Sequence, residues 1–182
     1  MIEIKYSIEF LSDWMCSSGL GAGAETDNEV IKDKNGLPYI PGRTIKGLLR
    51  DACEEMAEFS MVEFPVIDHL FGKRTEKDKH ESTPGSIKVS NASLPEKETQ
   101  EIIEHSMQEY LYRNVASTAI DDKGIAKTGS LRMTEVCIPI KLEGSIHIAE
   151  KYKTTLENAM KWTRRIGTNR NRGLGRCIIS LK

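Results

Sequence analysis

The chain has 182 residues, 26 Lys and Arg against 27 Asp and Glu, a net charge of -1, 38% hydrophobic residues and 29% charged ones. That composition belongs to a globular domain long enough to bury a sizeable core, and it excludes a low-complexity, collagenous or uniformly polycationic chain. No stretch approaches the roughly 18 apolar residues of a membrane span, and the opening MIEIKYSIEF alternates in polarity where a leader would carry a basic and then a greasy run, so a cytoplasmic setting without a membrane partner is expected.

In chain order, Ile2, Ile4, Tyr6, Ile8 and Phe10 alternate with Glu3, Lys5, Ser7 and Glu9, which predicts a half-buried strand over residues 2–10. A connection of roughly 30 residues follows, 11–43, of a length that usually carries function. Ile45, Leu48, Leu49, Ala52, Cys53, Met56 and Phe59 recur at helical spacing, so a helix is expected from residues 42–44 to about 60. Residues 86–94 read as a second strand. Alternation returns with Val136, Ile138, Ile140, Leu142, Ile146 and Ile148, and Pro139 marks a bulge or an edge there. Residues 152–166 predict a second helix and residues 177–181 a closing strand. Cys16, Cys53, Cys137 and Cys177 form no CxxC pair and have no nearby His at metal-ligand spacing, so they read as buried or idle thiols.

The order β-α-β-β-α-β defines an α+β class: a ferredoxin-like (RRM-like) core in one domain over residues 1–182, with a long first loop and an insertion between the middle strands. Right-handed crossovers bring the connections 11–43, 95–134 and 167–176 out at one edge of the sheet. Glycines and cations concentrate in those same connections, so function is expected at that end.

Charge is polarised despite the neutral total. From Lys161 to Lys182 there are seven cations and no acid, whereas Asp51, Glu54, Glu55, Glu58 and Glu63, then Glu96, Glu98, Glu101, Glu104 and Glu109, form acidic blocks. Within the last connection Gly167, Asn169, Arg170, Asn171, Arg172, Gly173 and Gly175 combine backbone freedom with forked donors suited to phosphate. Neither a dinucleotide fingerprint nor a Walker loop surrounds them, so no nucleotide cofactor is expected and an extended phosphodiester is the better partner. At the start of the first helix Pro38, Pro41 and Gly42 stiffen and sharpen the approach. Arg43, Lys46 and Arg50 then follow at three- and four-residue steps, a cationic rail at a helix N-terminus. The aromatic signature of RNA-binding sheet faces is missing.

The run Thr26-Asp27-Asn28-Glu29-Val30-Ile31-Lys32-Asp33, followed by Gly36-Leu37-Pro38-Tyr39-Ile40-Pro41-Gly42-Arg43-Thr44-Ile45-Lys46-Gly47, resembles the signature of the RAMP superfamily of CRISPR-associated proteins. It is most similar there to the repeated backbone subunit of type III effector complexes. The loop 167–176 resembles that superfamily's C-terminal glycine-rich loop, and His69-Leu70-Phe71-Gly72 and residues 119–135 are similar to further segments of such subunits. The chain is shorter than typical backbone subunits and carries Arg43 where serine often stands.

The resemblance implies a single RAMP domain whose thumb insertion, approximately residues 95–134, interrupts guide-target pairing. Implied partners are guide crRNA, complementary target RNA, other CRISPR effector subunits and further copies of the chain itself. It also implies a metal-dependent endoribonuclease cutting target RNA in antiviral defence, with Asp27 as the catalytic residue and a divalent metal, Mg2+, as cofactor. The metal ligands are not given by the motif, although Asp27 is one candidate. A single carboxylate either binds the ion or helps remove a proton from the attacking 2'-hydroxyl. Asp33, in the same motif, is the alternative brace of the loop. Two other readings stand beside this one: a non-catalytic architectural RNA-binding subunit, and a stand-alone repeat-processing endoribonuclease, disfavoured because no histidine lies in the aspartate-bearing or glycine-rich connection.

Overall fold

A computed structural model of the chain describes residues 1–17, 19, 28–73 and 83–182. Strand β1 (Ile2–Phe10) forms as its alternation predicts, burying Ile4, Tyr6, Ile8 and Phe10. Helix α1 (Gly42–Glu58) buries Ile45, Leu49, Ala52, Cys53 and Met56, one stripe at the 3.6-residue period. A short helix α2 (Phe64–Phe71) follows, opened by Pro65 in its first turn. Then come strand β2 (Lys88–Val89), helix α3 (Glu96–Glu104), strands β3 (Tyr112–Ser117), β4 (Arg132–Cys137) and β5 (Lys141–Ile148), helix α4 (Lys153–Trp162) and strand β6 (Cys177–Leu181).

The main sheet has the order β2-β5-β1-β6, and its β1–β5, β1–β6 and β2–β5 pairs are all antiparallel. Counting only its own four strands in sequence, that is 2-3-1-4, the ferredoxin-like arrangement. Helices α1 and α4 pack against each other and cover the face carrying Tyr6, Ile8, Leu142, Ile146 and Ile179. Tyr6 lies opposite Gly144, where a Cβ would come within 2.5 Å of the Tyr6 hydroxyl oxygen, so glycine makes the space that the buried ring fills. The other sheet face is open and polar. Its pairs are Glu3 with His147, Lys5 with Ser145, Ser7 with Glu143 and Glu9 with Lys141, and no Phe, Tyr or Trp stands among them to stack on a base.

Three expectations are corrected. The apolar alternation of residues 136–148 spans two strands in two sheets: β4 pairs with β3 in a separate hairpin, and Pro139 stands in the break before β5. A proline has no N–H to give a ladder, which is why the chain changes sheets there. The second strand, expected over residues 86–94, shortens to β2, continued only by isolated bridges from Ala92 to Ile40 and from Ser93 to Glu143. Helix α4 is likewise shorter than residues 152–166: Thr163 is extended, and from there the chain enters the Arg165–Arg176 bridge. Helices α2 and α3, absent from the expected core, occupy the stretches between its elements.

All four cysteines are free and buried. Burial pushes the thiols up, to about 12 at Cys16 and Cys177 and about 11 at Cys53, and also raises Cys137 and the hydroxyls of Tyr6 and Tyr112. These groups stay neutral in the fold while their unfolded counterparts ionise above the ordinary thiol value of 9.0. Their contribution to stability is therefore fully present below about pH 9 and is lost as pH rises toward 12. Thermal denaturation followed from pH 7 to 11 should give a flat contribution up to about pH 9 and a falling Tm above it; a Tm that holds through pH 11 would contradict the burial of these groups.

Candidate nucleic-acid interface

The first, middle and last connections meet beyond the end of β1. Trp14 exchanges both backbone hydrogen bonds with Cys137 of β4, at 2.9 and 2.8 Å. The Asp13 carbonyl accepts from the Gly175 N–H at 2.7 Å, and the Met15 carbonyl accepts from the Thr168 N–H at 2.8 Å. Further along, Asn28 bridges Thr134 in parallel, and the Glu135 N–H donates to the Asn28 carbonyl at 3.1 Å. Side chains reinforce this seam: Arg113 of β3 donates through Nε to Asp13 Oδ2 at 2.8 Å and through Nη2 to the same oxygen. Trp14 itself is fully buried, stacked on Phe10 with ring centroids 4.4 Å apart, so it is an anchor of the seam and is closed to RNA bases.

The glycine-rich loop owes its shape to two backbone contacts. A Cβ on Gly167 would lie 2.2 Å from the Met15 carbonyl oxygen, and one on Gly175 would lie 1.9 Å from that of Ile166; both residues also have positive φ. Only glycine fits either place, and the Gly175 N–H is already spent on Asp13. These two glycines therefore build the loop. Between them Asn169 is left-handed (φ 55), Arg170–Arg172 make one 3-10 turn, and Asn169, Arg170, Asn171, Arg172 and Gly173 are exposed.

The cationic rail at the start of α1 is not continuous. Arg43 is exposed and lines a cleft of about 280 Å³ with Ser17, Ile31, Thr44, Gly167, Thr168 and Arg170. Lys46 is half-buried, donates to the Ile87 carbonyl at 3.4 Å, and has its pKa lowered by burial and then by Arg50. Arg50 is occupied within the fold, donating to Glu54 at 2.8 Å and to the Gly72 carbonyl at 2.8 Å, with Asp68 at 3.6 Å. It ties α1 to the end of α2. The expectation that the helix N-terminus offers its amides to an anion also changes: Gly42 donates to Asn91 Oδ1 at 2.9 Å, and Thr44 and Ile45 donate to the Pro41 carbonyl. The close fit at Gly42, where a Cβ would stand 2.2 Å from the Val89 carbonyl, serves packing against β2.

Reading motif by motif passes over three further cations at this end. Arg164, Arg165 and Arg176 are exposed and line a groove of about 610 Å³ with Lys161, Leu11 and Ile178. Among the described residues no ion pair engages Arg43, Arg164, Arg165, Arg170, Arg172 or Arg176. Unpaired arginines at one rim favour a polyanion. The acid-free run from Lys161 to Lys182 was the sequence signal that they belong together. A neighbouring groove sets Arg164, Arg165 and Arg170 against Asp51, Glu55 and Glu58 of α1, so the positive surface ends at that wall.

Asp27 lies outside the described residues. Its motif neighbour Asp33 braces the turn over residues 33–37, where Oδ1 accepts the N–H groups of Asn35 and Leu37 at 2.8 and 2.9 Å. Among the described residues no three His, Cys, Asp or Glu side chains gather to hold a metal ion. No described helix is long and apolar enough to cross a membrane.

The middle connection holds α3, a 3-10 turn at Gln108–Leu111 and the β3–β4 hairpin, whose far end leaves Ile120, Ile125 and Leu131 more than 60% exposed. In overall shape the chain is similar to a chain of the Type III-B Cmr-beta complex bound to cognate target RNA, solved by cryo-EM: TM-score 0.74, 10% identity, covering 100% of this chain and 97% of that one. It is also similar to a chain of the apo state of Type III-B Cmr-beta, with TM-score 0.69, 12% identity, and coverage of 99% and 97%. At such identities the likeness establishes the fold. A search of curated proteins found no significant match. The RAMP superfamily model matches residues 7–178, nearly the whole length over which the three connections are knitted together, and the chain belongs to the RAMP superfamily.

Proposed function

We propose that this chain is a crRNA-binding backbone subunit of a type III CRISPR effector complex and that it cuts target RNA through Asp27. The observation that carries the reading is the seam: it gathers the arginine loop, the segment after Asp27 and the root of the hairpin at one rim, where the arginines make no ion pair among the described residues. Membership of the RAMP superfamily and likeness to chains of Cmr-beta, one of them bound to cognate target RNA, support it.

In this reading Arg43, Arg170 and Arg172, with Asn169, Asn171 and the open backbone at Gly173, take ribose-phosphate, and Arg164, Arg165 and Arg176 extend the track. Lys46 and Arg50 hold α1 in place behind it. Residues 95–134 act as the thumb, and Ile120, Ile125 and Leu131 supply the apolar wedge that separates base steps. Splaying a step lets a ribose 2'-hydroxyl line up with the adjacent phosphorus. The 2'-oxygen then bonds to phosphorus as the bond from phosphorus to the 5'-oxygen breaks, and the leaving oxygen takes a proton from solvent, giving a 2',3'-cyclic phosphate and a 5'-hydroxyl. Asp27 assists by taking up the 2'-hydroxyl proton or by binding a divalent ion. A Mg2+ ion would supply charge neutralisation at the phosphate, with Asp27 the residue that would hold it; among the described residues no three His, Cys, Asp or Glu side chains gather for it.

In an assembled complex, Asp27→Ala should retain guide and target yet cut at its site at least about 100-fold more slowly. Unchanged cutting removes the catalytic assignment. Retained guide with no cutting by the unaltered complex, in any divalent ion, identifies a purely architectural subunit. For the track, Arg170→Ala with Arg172→Ala should weaken binding to all RNA sequences alike and lower the slope of log K against log salt by roughly 1.4, the value for two single-strand phosphate contacts. Altered sequence preference at constant affinity would contradict phosphate contact.

A further inference from the structure

The segment after Asp27 lies along the edge of β4 that faces away from β3. Asn28 bridges Thr134, and the Glu135 N–H donates to the Asn28 carbonyl. The Glu135 side chain, 14% exposed, then turns back onto the same segment. Its Oε2 accepts the Val30 N–H at 3.0 Å, and its Oε1 pairs with Lys32 Nζ at 2.8 Å. Lys32 Nζ sits 4.1 Å from the ring centroid of Tyr112 on β3, and the Tyr112 hydroxyl donates to the Gly36 carbonyl at 2.7 Å. One carboxylate thus grips main chain and side chain two residues apart, and one ring receives the cation between them.

We propose that Glu135, backed by Lys32 and Tyr112, is a positioning residue that locks the strand leaving Asp27 to the root of the hairpin. The proposal rests on the catalytic reading of Asp27 and adds to it the group that sets the carboxylate in register with the wedge. Backbone bridges hold this segment to Cys16 and Ser17 and to Pro38 and Tyr39, but to β4 they give only the contact of Asn28 with Thr134 and Glu135. The clamp extends that contact through Val30 to Lys32, so a hairpin seated in RNA and the loop carrying Asp27 move as one body. Glu135 touches neither substrate nor reacting atoms; it acts through the segment it holds. A displacement of about 1 Å at a reacting centre costs roughly 100-fold in rate, which sets the size of effect expected from releasing the clamp.

The test uses the assembled complex with guide and matched target, comparing Glu135→Ala, Glu135→Gln and Asp27→Ala with the unaltered chain. Single-turnover cutting should fall roughly 10- to 100-fold in Glu135→Ala while target Kd stays within about twofold. Glu135→Gln keeps an amide oxygen for the Val30 N–H but loses the ion pair, and should recover part of the loss. Hydrogen exchange supplies a second readout: the Val30 amide should exchange faster in Glu135→Ala, with the Ile8 amide in β1 unchanged. Wild-type cutting by Glu135→Ala beside an inactive Asp27→Ala overturns the proposal and leaves the catalytic reading standing. Loss of cutting in step with target binding, or faster exchange at Ile8 as well, also overturns it, by showing general destabilisation. Normal cutting by Asp27→Ala defeats the catalytic reading and the positioning role together.

Discussion

The backbone seam beyond the end of β1 is the constraint on which the rest of the molecule depends. Three connections far apart in sequence exchange main-chain hydrogen bonds there: Asp13 and Met15 with the last loop, Trp14 and Asn28 with β4. A backbone N–H or C=O left unpaired in so enclosed a place carries a desolvation cost of about 1–3 kcal/mol, so each bond constrains both partners. Burial of Trp14 against Phe10 fixes the start of the seam, since the indole cannot withdraw without opening the core. The two tight glycine contacts fix its other side, where Gly167 and Gly175 let one backbone lie on another. The described residues of these connections are held to one another and to β4 by main-chain pairing.

Electrostatics at the rim follow from which cations the fold consumes. Lys32 and Arg113 are drawn to Glu135 and Asp13, where they connect segments far apart in sequence, and Arg50 is drawn to Glu54 on its own helix and to the Gly72 carbonyl after α2. The remaining arginines of residues 164–176 form no ion pair among the described residues; their own stretch of sequence contains no acid, and the carboxylates of α1 stand across a groove from them. Exposed like charges repel modestly in water and salt, a cost a folded domain carries when a polyanion relieves it. A net charge of -1 is therefore compatible with a strongly positive rim, with the balancing acids on α1 and α3.

Much of this was legible in the sequence where a single physical rule governs. Alternation located β1, and the 3.6-residue stripe located α1, because burial on one side dictates both patterns. Topology then followed from crossover handedness, and with it the convergence of the three connections. Apolar alternation could not tell one strand from two, since β4 and β5 continue the same polarity across Pro139 in different sheets. Spacing on the first helix gave Arg43, Lys46 and Arg50 a common face but not the neighbours on that face: the Gly72 carbonyl after α2 accepts from Arg50, and the Ile87 carbonyl before β2 accepts from Lys46. Glu135 carries no motif of its own, and its partners Val30 and Lys32 lie 105 and 103 residues away.

The open sheet face explains why the rim, and no other surface, has to carry function in the proposed reading. Mixed charges and hydroxyls without large aromatics give the paired positions of that face no ring on which a base could stack. Recognition then has to rely on insertions that reach outward, and an insertion is useful only if its root is stiff. A lone two-stranded hairpin is marginally stable in water, and β4 would by itself present an unpaired edge. Pairing that edge with Trp14 and Asn28 removes the liability and turns the hairpin into an extension of the core. The same pairing makes the described residues of the first connection part of the hairpin's base, so in the proposed reading RNA seated on the exposed tip would meet a root already joined to the segment that follows Asp27.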